Sequence, residues 1–149
     1  MSDNQHQLSP GDIYGIVGAE GFQRLIAAFY QQVAEDDILR PMYPERDLEP
    51  AERRLRQFLE QYFGGPTTYS DKRGHPRLRM RHARFRIDKP ARDRWMQLMT
   101  NALDEVNFPP KVRAIMQDYF EQAATFMINT YPANNDQLAI QPQSPQTED

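Results

Sequence analysis

The sequence predicts an all-α domain. Three observations carry this. Apolar residues recur at helical spacing in four long stretches. No stretch of any length shows the period-two alternation of a half-buried strand. Gly and Pro cluster between the stretches, where a helix has to stop.

The elements follow in order. Residues 1–10 are polar and read as a disordered lead, and Ser9-Pro10 reads as a helix start. A short helix is expected through Ile13, Ile16 and Val17, and Gly18 to Gly21 breaks it. Phe22, Leu25, Ile26, Phe29, Tyr30 and Val33 form the first long stripe, with an end expected near Asp36-Asp37. Arg40-Pro41-Met42-Tyr43-Pro44 cannot continue a regular helix, because each proline lacks a donor and restricts its predecessor. Tyr43 is therefore expected on a turn. Ala51, Leu55, Phe58, Leu59 and Tyr62 lie on one face of the second long helix, with Pro50 in its first turn and Gly64-Gly65-Pro66 as its stop. A polar loop is expected over 67–74. Asp88-Lys89-Pro90 reads as a cap and first turn for a helix carrying Trp95, Leu98, Met99, Ala102 and Val106. The last helix turns Val112, Ile115, Met116, Tyr119, Phe120, Ala123, Phe126 and Met127 to the core. From residue 132 the chain is rich in Asn, Gln, Pro and Ser, so the expected domain is 11–131, with 132–149 as a disordered tail.

Composition narrows the function classes. A length of 149 residues favours one domain with a core large enough to fold alone. The net charge of -3 gives no overall case for nucleic acid or an acidic membrane. There is no cysteine, which removes disulfides, thiolate catalysis, thiolate metal sites and covalent haem attachment through C-x-x-C-H. The N-terminus has no apolar signal segment, and no apolar run approaches a membrane span. A cytoplasmic location is expected.

Candidate chemistry centres on His75 to Phe85, HPRLRMRHARF. On a helix Leu78 and Phe85 share a face with His82, while Arg79, Arg81 and Arg86 point elsewhere. An imidazole among apolar groups with guanidinium groups at the rim suits a flat, apolar, dianionic ligand that carries a metal. Haem is such a ligand, its iron taking a His and its propionates taking Arg. Arg81, adjoining His82, is the best propionate candidate, with Arg54 and Tyr69 as weaker ones at the haem edge. A lone His on an apolar face also reads as a core residue, and the basic run Lys72 to Arg86 as a solvated surface. Four-helix bundle and globin-like packings both fit the stripes. The short, basic His82 segment behind an extended loop fits a small globin better.

Particular motifs sharpen this reading. Tyr62-Phe-Gly-Gly-Pro66, Tyr69-Ser70, Arg73-Gly-His-Pro-Arg-Leu-Arg-Met-Arg-His-Ala83 and Phe85 resemble the group II truncated haemoglobins. So do Phe29-Tyr30-Gln-Gln-Val-Ala-Glu-Asp36, Tyr43-Pro44 and Trp95, and together the resemblance covers residues 13–131. It implies a globin-like, truncated two-over-two helical sandwich around a non-covalent haem b. By position, His82 resembles the proximal iron ligand, and Tyr30, Tyr43 and Trp95 the distal polar residues. Ala51 stands where many globins have a distal His, and Leu55 resembles the apolar distal wall. Phe58, Leu78 and Phe85 complete the expected apolar contacts. The chain departs from the family in having Val17-Gly18 where a Gly-Gly pair is common, and Ala83-Arg84-Phe85 where Ala-Pro-Phe is common.

The implied function is binding of dioxygen and other diatomic ligands, nitric oxide and carbon monoxide among them, at a His82-ligated iron. Slow release would make it a poor carrier. The alternative is a haem enzyme that turns over peroxide or converts nitric oxide at the same site. The sequence carries no flavin or nicotinamide domain, so that chemistry would need a separate reductase as partner. A monomer and a homodimer fit equally.

Overall fold

The computed structural model describes residues 7–74, 82 and 86–130. The expectations for most of the lead, for the tail, and for His75, Leu78, Arg81 and Phe85 lie outside the described residues.

The chain enters through a 3-10 turn, Pro10–Asp12, whose Asp12 carboxylate accepts the Ser9 amide at 2.9 Å. Helix α1, Ile13–Val33, follows directly. The expected break is a kink at Gly18 alone, where φ 71 and ψ 174 are open to a residue without Cβ. Gly21 is ordinary helix. After a turn and a second 3-10 segment, Arg40–Met42, helix α2 spans Glu49–Tyr62 with a proline in its first turn. Helix α3 is short, Thr68–Arg73. Helix α4, Lys89–Val106, starts at Asp88, whose side chain accepts the Ala91 amide at 3.0 Å, and ends at left-handed Asn107. Helix α5 is Pro110–Phe126.

Helix α1 packs against α2 and α4, and α4 against α5. Phe22, Phe29, Phe63 and Phe120 are fully buried at the centre. Each such side chain contributes about 1.5–3 kcal/mol relative to exposure. The end of α2 meets α5 through the Tyr62–Tyr119 stack, with centroids 4.2 Å apart. Trp95 of α4 lies between Phe29 of α1, at 5.2 Å, and Phe120 of α5, at 5.7 Å. One aromatic seam thus joins both helix pairs and leads to the distal side of the site. No helix among the described residues is long and apolar enough to cross a membrane.

Three expectations need correction. The stretch 67–74 holds helix α3, not a loop throughout. Gln61 of α2 reads it from outside, donating to Ser70 Oγ at 2.8 Å and accepting the Ser70 amide at 3.0 Å. Phe126 does not face the core but is 63% exposed, because it sits in the last turn of α5 beyond the packed part of the helix. Helix α1 stops at Val33 and not near Asp36, because the Asp36 carboxylate takes the Ile38 and Leu39 amides at 3.0 and 2.8 Å and closes a turn there.

Candidate functional site

Three elements supply the residues expected on the distal side. Tyr30 comes from the buried stripe of α1, three residues before the helix ends. Tyr43 follows the 3-10 segment in extended conformation, φ -101 and ψ 113. Trp95 comes from the second turn of α4. The two phenol oxygens are 3.4 Å apart, and the rings meet edge to face at 5.7 Å. Phe29 bridges to the third member, touching Tyr30 at 5.0 Å on one side and Trp95 on the other. The structure therefore brings together three residues from separate parts of the chain.

Their protonation is set by burial. Burial first, then the neighbouring Tyr43, pushes the Tyr30 phenol well above its ordinary value of 10.0. Burial likewise raises Tyr43. Both hydroxyls keep their protons at neutral pH, and one shared hydrogen bond uses only one of the two. No acceptor for the second proton is found among the described residues. Helix α2 lies close by, since Arg54 and Glu52 act electrostatically on Tyr30. From the same helix Ala51 is buried, while Leu55 is half-buried although it packs on the core. Ala51 has no polar atom to offer beyond its backbone, so the donors are aromatic.

The turn between Tyr30 and Tyr43 is tied to the Trp95 helix. Arg94 donates to the Asp36 carboxylate, whose side chain is 8% exposed, and more distantly to Asp37. Burial opposes the charge on Asp36, but the Leu39 amide, Arg94 and the Ile38 amide together hold its carboxyl below the ordinary value of 3.8. The sequence reading missed this pair. An Asp two and three residues before amides it can accept is the local signal; nothing local points to Arg94.

His82 is half-buried and its carbonyl accepts from Asn129 Nδ2 at 3.4 Å. The same side chain accepts the Ile87 amide at 2.9 Å. The Asn129 and Thr130 amides in turn donate to the Ile87 carbonyl at 2.9 and 3.0 Å. Asn129, also missed from sequence, thus fastens the stretch between His82 and α4 to the end of α5. Phe58 and Tyr69 are buried edge to face at 5.4 Å. Arg54 pairs with Glu45 at 3.1 Å.

A haem fits this donor set. Among the described residues no three His, Cys, Asp or Glu gather to hold a metal ion. A haem iron would need one imidazole from the protein, and His82 is the residue expected to supply it. Tyr43, Leu55 and Trp95 pack on the core yet keep part of their apolar surface open, as the walls of a site for a flat apolar group would.

The comparisons agree with this geometry. Residues 12–129 match the bacterial-like globin family. A group 2 truncated haemoglobin of Bacillus subtilis (strain 168) is 36% identical over 122 residues, covering 82% of this chain and 92% of that one. The thermostable haemoglobin of the actinobacterium Thermobifida fusca is similar in structure with TM-score 0.77 at 52% identity, over 78% of this chain and 96% of that one. The truncated oxygen-avid haemoglobin of Bacillus subtilis is similar with TM-score 0.75 at 37% identity, over 78% and 98%. A two-over-two helical frame, paired phenols on α1 and the following turn, and these matches lead to one assignment: the chain belongs to the bacterial-like globins and, among them, to the group II truncated haemoglobins.

Proposed function

We propose that the protein binds dioxygen, and related diatomic ligands, on a non-covalent haem b whose iron is ligated by His82. The observation that carries this reading is the spare phenolic proton. Tyr30 and Tyr43 share one hydrogen bond between two protonated hydroxyls. Among the described residues nothing accepts the second O–H, which leaves it to donate to a ligand in a buried place where such a bond counts for more than in water. When bound, haem would supply a ferrous centre for dioxygen. Tyr43 or Tyr30 would donate to a ligand held there, and the Trp95 indole N–H, which can donate but never accept, would add a second bond from α4. Carbon monoxide takes up less charge, so the same donors discriminate between the two gases. A solved relative at 37% identity is described as oxygen-avid, which accords with strong distal donation.

Stopped-flow release from the reconstituted protein tests this. Loss of one hydrogen bond of about 1–1.5 kcal/mol corresponds to roughly tenfold faster release. Tyr43→Phe and Trp95→Phe should each accelerate dioxygen release by about that factor and leave carbon monoxide release nearly unchanged. The Tyr30→Phe, Tyr43→Phe double variant should be non-additive because the two hydroxyls share one bond. His82→Ala should lose the native ferrous spectrum. If neither Tyr43→Phe nor Trp95→Phe moves dioxygen release by about threefold, the aromatics are core and the distal reading is wrong.

A further inference from the structure

Tyr43 opens a stretch, residues 43–48, that forms no helix or strand. Its backbone needs partners from elsewhere. Three of its carbonyls find theirs in one side chain. The Arg40 guanidinium folds over the stretch, with Nη1 donating to the Tyr43 carbonyl at 3.1 Å. Its Nη2 donates to the Glu45 carbonyl at 2.9 Å and to the Arg46 carbonyl at 3.0 Å. The guanidinium spreads its donors over a rigid plane in fixed directions, whereas a lysine ammonium gathers its three at one point on a loose stem. Arg40 is itself fixed. Its amide donates to the Asp36 carbonyl at 3.0 Å, and its carbonyl accepts the Tyr43 amide at 3.1 Å. Asp36 is held by Arg94, the residue before Trp95. A continuous series of contacts therefore runs from the Tyr43 backbone through Arg40 and Asp36 to the base of Trp95.

We propose that Arg40 is a positioning residue of the distal site: its guanidinium sets where the Tyr43 hydroxyl sits relative to Tyr30 and Trp95. The inference rests on the reading of Tyr43 as a distal donor. Two phenol oxygens at 3.4 Å are already at the long limit of a hydrogen bond. A small displacement of the Tyr43 backbone breaks that contact and misdirects the donor. Arg40 touches neither hydroxyl, so its effect has to pass through the main chain.

The test uses Arg40→Lys in the full chain, with Arg40→Gln as a second variant if the first is unstable. Amide exchange in the haem-free protein should speed up about tenfold at Tyr43, the bonded amide of residues 43–48, and stay unchanged in α4. In the haem-loaded protein, Arg40→Lys should accelerate dioxygen release by about three- to tenfold and carbon monoxide release by less than about twofold. In a Tyr43→Phe background the same substitution should change dioxygen release by less than about twofold. Unchanged exchange at Tyr43 would overturn the proposal. So would faster exchange without faster dioxygen release, or an Arg40→Lys effect that persists in full without the Tyr43 hydroxyl. If Tyr43→Phe itself leaves dioxygen release alone, the donor reading fails and this inference falls with it. If Tyr43→Phe accelerates release and Arg40→Lys does not, only the inference is lost.

Discussion

Asn129→Ala probes the proximal side of the site at one side chain. The substitution takes the acceptor from the Ile87 amide, bonded at 2.9 Å, and the donor from the His82 carbonyl at 3.4 Å. Ile87 is buried, so its amide loses a partner without gaining water. An orphaned buried donor costs about 1–3 kcal/mol. The His82 contact is long and adds little to that. The backbone bonds from Asn129 and Thr130 to the Ile87 carbonyl do not use the side chain and should survive, which confines the damage. A net loss near 2 kcal/mol follows, or a fall in melting temperature of roughly 4–8 °C for a chain of this size. Asn129→Asp separates the two roles, since a carboxylate still accepts from Ile87 but cannot donate to His82. Urea denaturation gives the stability, and amide exchange at Ile87 reads the local bond. The Ala variant should expose that amide and the Asp variant should keep it protected. With His82 as the proposed iron ligand, the iron–histidine stretching band of the ferrous protein should shift in both, because both remove the bond from Asn129 to the His82 carbonyl. A loss below about 0.5 kcal/mol, with Ile87 exchange unchanged in the Ala variant, would refute the bracket.

Two further outcomes are expected. Because Asp36 has its carboxyl held below 3.8 when folded, its contribution is complete above that value and is lost as pH falls through the lower folded value. Asp36→Asn should therefore melt lower than the parent near neutrality and lose less on acidification, whereas Asp37→Asn, with the parent side chain 91% exposed, should behave like the parent; melting curves between about pH 7 and pH 2 read this. Gly64 has φ 99, and a Cβ there would meet the Gly11 carbonyl oxygen at 2.0 Å. Gly64→Ala should cost roughly 3 kcal/mol or more in chemical denaturation, combining left-handed strain and backbone displacement.

The helices were legible because their signals are local. Apolar spacing gave α1, α2, α4 and α5, and Pro50, Asp88 and Pro90 marked starts that the structure places within a residue or two. Helix α3 was missed since its six residues are polar apart from Tyr69 and it is held by Gln61 and Phe58, outside it. Phe126 was misplaced because periodicity says which face a residue occupies, not how far along the helix the core extends. Tyr30, Tyr43 and Trp95 could be named only through the resemblance. Composition and spacing alone leave buried aromatics as ordinary core.

The residues that hold the site together were invisible for a different reason. Arg94 lies 58 residues from Asp36, and Asn129 lies 42 from Ile87. Arg40 is near its partners in sequence, but it contacts carbonyls, which every residue has. Bonds from side chain to backbone leave no complementary residue type to search for. They matter here because each donor sits at the edge of regular structure: Tyr30 in the last turn of α1, Tyr43 in an irregular stretch, Trp95 near the start of α4. Packing of the helices fixes their axes, and a hydrogen bond to a small ligand needs tighter control than that. The Asp36 turn, the Arg40 fork and the Asn129 bracket supply it at the places where the helices end. A globin with so few long helices has few neighbouring elements to press its connecting segments into place. Individual side chains do that work, so substitutions at residues that never touch the ligand should alter its release.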